Sequence, residues 1–339
     1  MQLKPVGVDI AKSVFQVYHV DSMTGEVVNK AIKRAGFLEY FANRMSCLIG
    51  MEACGGAQHW AHMSMKLGHQ VKLMPARLVK AFNIGNKSDA AEAIAIWLAV
   101  QEPCKAVAVQ TEEQQAVLAM HRVRQQLIKF RTMRINALRG LLTEYGEVMG
   151  KSRAALDRGM SGALERLANR LAAMLIDTLR ERYSELSKQD ERIGKIEQRL
   201  KGWMRLDRPC QAIAEIPGVG LLTATAAVAT KGNAKAFRSG REFAAYIGLV
   251  PKHSGSGGKL NLLGISKRGD TYLRTLLIHG ARSVLARAKE SGSCVEQMCQ
   301  RRPLNVVIVA LANKMARMVW ALLAHERQYV KGYVGTKPT

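Results

Sequence analysis

The first hundred residues alternate between strand-like and helix-like runs of apolar positions. Val6-Gly-Val-Asp-Ile10 is a short strand, Val14 to Val20 alternates like a second, and Glu26 to Ile32 predicts a third, together a meander. Cys47-Leu-Ile-Gly-Met-Glu52 is a continuous apolar run of the buried-strand type that closes on a carboxylate. Gln70 to Met74 is another strand, stopped by Pro75. Helical patterns follow Gly36, Gly56 and Pro75, and Ala90 to Val100 is helical as well. Residues 1–105 therefore read as one α/β domain.

The pattern then changes. Residues 111–145 and 155–203 are rich in Leu, Ala, Arg, Glu and Gln and almost free of Pro and Gly. Val117, Met120, Leu127, Phe130, Ile135 and Leu138 recur at helical spacing, which predicts two long helices in a connector over 106–209. Gly146, Gly150 and Lys151-Ser152 supply the turn, and the pair is either a coiled coil or an extended helical hairpin. A solvated spacer or dimer arm is the plain account of such helices. Residues 210–328 predict a compact, mostly helical domain, and 329–339 a frayed tail.

Charge adds a partner to this picture. The chain holds 51 Lys and Arg against 27 Asp and Glu, a net charge of +24 over 339 residues. Residues 1–100 carry net +4, 101–210 net +7 and 211–339 net +13. Such an excess calls for a polyanion, because each phosphate contact by Lys or Arg releases a condensed counterion. Nucleic acid is the first expectation and an anionic membrane surface its rival. The apolar stretch Val306 to Leu311 is too short to span a bilayer, and Met-Gln-Leu-Lys-Pro does not resemble a signal peptide. Six scattered cysteines form no CxxC pair, which fits a reducing cytoplasm and no structural zinc.

Four carboxylates stand out. Asp9 follows an apolar strand start, Glu52 closes another strand, and Asp89 and Glu92 share one face at the start of a helix. Carboxylates brought together repel, and a divalent cation such as Mg²⁺ removes that penalty. Two such ions can polarise a phosphodiester and stabilise its leaving oxygen. Taken singly, an Asp after a strand is an ordinary turn residue, and Glu92 suits a helix N-terminus.

Two further segments carry chemistry. Ile213 to Ala224 has the two-glycine pattern of a helix-hairpin-helix, in which Gly218 and Gly220 would let backbone N–H groups approach a phosphate. A tight interhelical turn without a ligand gives the same pattern. Tyr246 to Lys259 holds two serines among glycines, with Lys252, Lys259, Lys267 and Arg268 around them and Arg274 facing the same ligand from the next helix. A serine hydroxyl is a poor nucleophile unless a base or metal activates it, and a loop of this kind can equally serve only to bind phosphate. His253 is a less fitting general base.

These motifs, in the order Gly7-Val-Asp-Ile-Ala-Lys12, Gly50-Met-Glu52, Lys87-Ser-Asp-Ala-Ala-Glu92, Ile216-Pro-Gly-Val-Gly220 and Gly248-Leu-Val-Pro through Ser256-Gly-Gly-Lys259 to Arg274, resemble the insertion sequence 110 family of transposases. The Ser-Gly-Gly-Lys form is similar to its 1111 subgroup, whose relatives include Piv-type invertases. The resemblance spans nearly the whole chain. It implies an RNase H-like, RuvC-like N-terminal domain with a DEDD tetrad, a coiled-coil connector and a mostly α C-terminal transposase domain. It implies that Asp9, Glu52, Asp89 and Glu92 are catalytic metal ligands for two Mg²⁺. Glu92 stands where the family has Asp. It implies Ser256 as nucleophile, with Ser254 in reserve. It further implies donor and target DNA, a structured noncoding guide RNA, dimers assembling into tetramers, and a cytoplasmic, nucleoid-associated protein. A metal-dependent nuclease or junction resolvase without serine chemistry is the alternative, and a non-enzymatic regulator of an element is the third.

Overall fold

A computed structural model describes residues 3–21, 23–83, 88–103, 105–232, 234–255, 257, 259, 261–287 and 293–331. The chain forms two compact units, 1–111 and 112–339. From residue 112 onward, the expected connector and C-terminal domain thus fall within one unit.

In the first unit β1 (Pro5–Ile10), β2 (Val14–Val20) and β3 (Val27–Lys33) make the predicted meander. α1 (Phe37–Ala42) leads to β4 (Leu48–Glu52), α2 (Ala57–Lys66) to β5 (Gln70–Met74), and α3 (Ala76–Phe82) and α4 (Asp89–Gln101) follow. The sheet order is β3-β2-β1-β4-β5. β2 is antiparallel to β1 and β3, while β1, β4 and β5 run parallel. Parallel neighbours need crossovers over a face, and α1 and α2 provide them. Val8, Phe15, Phe37, Phe41, Ile49, Met51 and Trp60 form the core on that side. On the opposite face α4 packs with α3, burying Met74, Val79, Ala95, Ile96, Ala99 and Val100.

In the second unit α5 (Glu112–Glu144) and α7 (Ala173–Leu206) are the long helices, with a third, α6 (Arg153–Ala168), between them. The second predicted helix is therefore broken, over 169–172. Arg124–Glu197 and Arg131–Asp190 ion pairs link α5 to α7 in descending register, so the two run antiparallel. Leu142, Leu156, Met160, Leu167, Leu179 and Leu186 seal α6 into this arm. α8 (Arg208–Ala214), α9 (Leu221–Lys231), α10 (Gly240–Tyr246), α11 (Thr271–Arg287), α12 (Ser293–Arg301) and α13 (Leu304–His325) complete the unit, with a hairpin of β6 (Pro251–Ser254) and β7 (Asn261–Ile265).

α13 corrects the expectation that the late apolar stretch is short. By length and composition its 22 residues are apolar enough to cross a membrane. Ile308, Ala312, Met315, Ala316 and Val319 are instead buried in the helical core, which accounts for the apolar character of that face.

Candidate active site

The N-terminal site follows from strand periodicity. Side chains two residues apart point to the same face of a strand. Gly7 and Asp9 therefore share a face of β1, and Gly50 and Glu52 share the matching face of β4. Gly7 pairs with Gly50 and Val8 with Met51, so Asp9 and Glu52 end adjacent parallel strands.

The two glycines make a trough for α4. A Cβ on Gly7 would stand 2.3 Å from the Ala93 carbonyl oxygen and 2.6 Å from the Trp97 nitrogen. One on Gly50 would stand 2.8 Å from Val100 Cβ and 3.2 Å from Ile96 Cγ2. Only glycine permits so close an approach of helix to strand. The start of α4 then lies beside the carboxyl ends of β1 and β4. Ser88 caps this helix, its hydroxyl accepting from the Ala91 N–H at 3.2 Å, and Asp89 and Glu92 occupy the first turn.

The carboxylates act on one another. Burial pushes the Asp9 acid up to about 6, and the charges of Glu92, Asp89 and Glu52 push in the same direction. The other three expected carboxylates thus act electrostatically on Asp9. Among the described residues, however, no three His, Cys, Asp or Glu side chains are gathered tightly enough to cage a metal ion. Four hard oxygen donors suit Mg²⁺ by chemistry, and mutual repulsion opposes their closure in its absence.

In the second unit the serine segment is a hairpin rather than an irregular loop. Ser254 ends β6, opposite Asn261, and His253 faces Leu262. Both strands are exposed except Ile265, as are Lys252, Lys259, Lys267 and Arg268. Ser256 lies outside the described residues. Beside it Gly257 has φ +58°, with open space where a Cβ would be.

One expected nucleic-acid contact is corrected. Arg274 is 6% exposed, and its guanidinium donates to the carbonyls of Ile247 and Arg268 at 2.9 and 2.7 Å and to Thr271 Oγ1 at 3.0 Å. It is occupied inside the protein because its place on α11 faces the core. Gly218, at φ +85°, lies against α11: a Cβ there would meet the Gly280 carbonyl oxygen at 2.7 Å and Val284 at 2.8 Å. The space freed at Gly218 admits a helix. Gly220, at the N-terminus of α9, has open space around it.

Sequence reasoning missed a buried polar junction. His121 on α5 is 1% exposed; its Nδ1 lies 2.9 Å from the Tyr272 hydroxyl and its Nε2 2.9 Å from Thr225 Oγ1. Thr225 already donates to the Leu221 carbonyl at 2.7 Å, so His121 donates from Nε2 and accepts from Tyr272 at Nδ1. Burial, with Arg124 nearby, pushes its pKa down to about 4, which fits this neutral form. An isolated His in an Arg-rich helix gave no signal of this role.

Acidic groups converging on one sheet face, in a chain of net charge +24, describe an enzyme that acts on nucleic acid. Comparison with known proteins specifies which. Residues 210–295 match the Transposase IS116/IS110/IS902 family, and residues 6–147 match the DEDD transposase domain of the IS110 type. The chain is 42% identical over 338 residues to a probable family 20 transposase of Pseudomonas aeruginosa, covering 98% of this chain and all of that one. It is 39% identical over 333 residues to the transposase for insertion sequence element IS1111A of Coxiella burnetii, covering 96% and 91%. To the transposase for IS1328 of Yersinia enterocolitica it is 35% identical over 322 residues, covering 94% and 96%. The chain belongs to the IS116/IS110/IS902 transposase family, whose members cleave DNA and transfer its strands.

Proposed function

We propose that this transposase excises and inserts an insertion sequence through a covalent phosphoserine intermediate, with a RuvC-like N-terminal unit holding two Mg²⁺. The observation that carries the reading is the convergence of Glu92, Asp89 and Glu52 on Asp9. The sheet order, with a three-strand meander followed by two parallel strands, supports the RuvC-like assignment. Asp9, Glu52, Asp89 and Glu92 would hold the ions. When bound, Mg²⁺ supplies charge neutralisation at the phosphate and the leaving oxygen.

The protein's own residues do the rest. The Ser256 hydroxyl, with Ser254 in reserve, attacks phosphorus: a serine O–P bond forms, the P–O bond to one deoxyribose oxygen breaks, and that oxygen gains a proton. A second strand's hydroxyl reverses the exchange, so the phosphodiester energy is kept and no ATP is needed. Lys252, Lys259, Lys267 and Arg268, all exposed on or beside the hairpin, steer and hold the backbone. The net charge of +13 in 211–339 supports donor and target DNA there, and a structured guide RNA along the rest of the basic chain. The antiparallel arm of α5 and α7 suits the coiled-coil connector of a dimer or tetramer.

Denaturing electrophoresis of protein incubated with labelled, nicked target DNA tests the chemistry. Ser256→Ala should lose the shifted band while nucleic-acid binding persists. Loss of the band in Ser254→Ala alone moves the nucleophile to Ser254. If neither substitution matters, a metal-activated water does the cleaving and the nuclease reading replaces this one. Glu52→Gln should abolish strand transfer in Mg²⁺, and sequencing of bound RNA should enrich one species encoded beside the gene.

A further inference from the structure

The β6–β7 hairpin has no core of its own, since every residue of both strands is exposed except the half-buried Ile265. Its direction must be set where its two legs enter the domain. There the legs touch: the Lys267 N–H donates to the Gly248 carbonyl at 3.2 Å and the Ser266 N–H to the Val250 carbonyl at 2.8 Å. A Cβ on Gly248, at φ +76°, would lie 2.4 Å from the Arg268 carbonyl oxygen. One on Gly269, at φ +66°, would lie 1.9 Å from the Tyr246 carbonyl oxygen. Beneath this crossing sits Arg274, one guanidinium nitrogen bonded to a carbonyl of each leg, Ile247 on the way in and Arg268 on the way out.

We infer that Arg274 is a positioning residue for strand transfer: its guanidinium ties the two legs of the hairpin together from within the domain and so fixes where the hairpin points. The inference rests on the reading that the hairpin delivers the nucleophile. Both carbonyls are taken by the two coplanar N–H groups of one guanidinium nitrogen, while the other nitrogen, bonded to Thr271, fixes the plane; an ammonium has the same charge but no second nitrogen to orient it. The effect is also distinct from phosphate binding, because the charge lies buried and engaged.

Arg274→Lys in the full-length protein tests this with three measurements: hydrogen exchange of the 261–265 amides, strand transfer on nicked target DNA, and the salt dependence of DNA binding. Expected are exchange accelerated more than tenfold in those amides, strand transfer reduced at least tenfold, and an unchanged salt slope. A slope flattened by about one unit would make Arg274 a phosphate contact and overturn the inference. Unchanged exchange overturns it too. Accelerated exchange with full strand transfer, in a protein whose Ser256→Ala form is inactive, overturns the positioning role. If Ser256→Ala is itself active, the serine reading has failed, and hydrogen exchange with the salt slope still decides the clamp. Should Arg274→Lys not fold, Thr271→Val serves. Thr271 is exposed, and its loss removes the acceptor that orients the guanidinium, so the same changes should appear in smaller measure.

Discussion

Asp9→Asn should make the N-terminal unit more stable while destroying the enzyme. In the folded unit the Asp9 acid sits at about 6 against an ordinary 3.8, because burial and three neighbouring carboxylates disfavour its charge. A folded-state pKa above the unfolded one means that the native protein binds the proton more tightly. The native state is therefore penalised above about pH 6, and the penalty fades as pH falls from 6 towards 3.8. The full difference corresponds to about 3 kcal/mol, and since Asp9 retains contact with solvent, about 1–2 kcal/mol is the expected effect. For a unit near 100 residues that is a rise of roughly 5–10 °C in Tm. The assay is calorimetry of both proteins at about pH 8 and about pH 5, with exchange of the β1 and β4 amides identifying the unit that melts. The asparagine variant should be the more stable at the higher pH, and the gap should shrink at the lower. Mg²⁺ should stabilise the natural protein and not the variant. A variant no more stable at pH 8, or a gap independent of pH, refutes the electrostatic account of the site.

The helical unit should respond to acid in the opposite sense. His121 is neutral when folded, with its pKa depressed to about 4 from 6.5, so up to about 3 kcal/mol of stability is lost as pH falls from 6.5 to 4. Exchange of α5 and α11 amides across that range should show the loss, and His121→Gln should remove it; an undiminished slope in the variant places the titration elsewhere. Lys259→Ala with Arg268→Ala should weaken DNA binding and flatten its salt dependence by about one unit per lost phosphate contact, checked by titration at several salt concentrations. Gly7→Ala should cut strand transfer and Mg²⁺ affinity more than Gly50→Ala does. The first meets α4 backbone one turn from its start, whereas the second meets side chains at its far end. Equal loss in both, read from metal titration, would show that only overall packing matters.

The α/β unit was largely legible because each of its elements announces itself by period. Five strands, the helices between them and the carboxylates at strand ends follow from periodicity and from Gly and Pro stops. What periodicity cannot reveal is spacing between layers. Gly7 and Gly50 look like ordinary loop-biased residues until β1 and β4 are paired, and only then do they line up as a trough beneath α4. In the second unit the long helices were legible, but the break at 169–172 was not, since Asn169-Arg-Leu-Ala172 contains neither Pro nor Gly. Arg274 shows the opposite failure. Sequence places a basic residue near other basic residues and invites a phosphate, whereas helix phase turns this one inward, where two backbone carbonyls need a donor.

Gly7 and Arg274 solve related problems by different means. The carboxylates must hold their places against mutual repulsion, and they stand on a sheet and a helix locked together by an approach too close for any Cβ. On the proposed reading the hairpin meets DNA from outside, so it cannot be buried and cannot borrow rigidity from packing. A segment in that position has two sources of order, its ligand and its foot. Order taken from the ligand alone would cost conformational entropy at each binding event. On the proposed reading, a foot fastened by a buried guanidinium fixes the direction before DNA arrives, which would leave the exposed lysines free to act by charge and the serine to act by position.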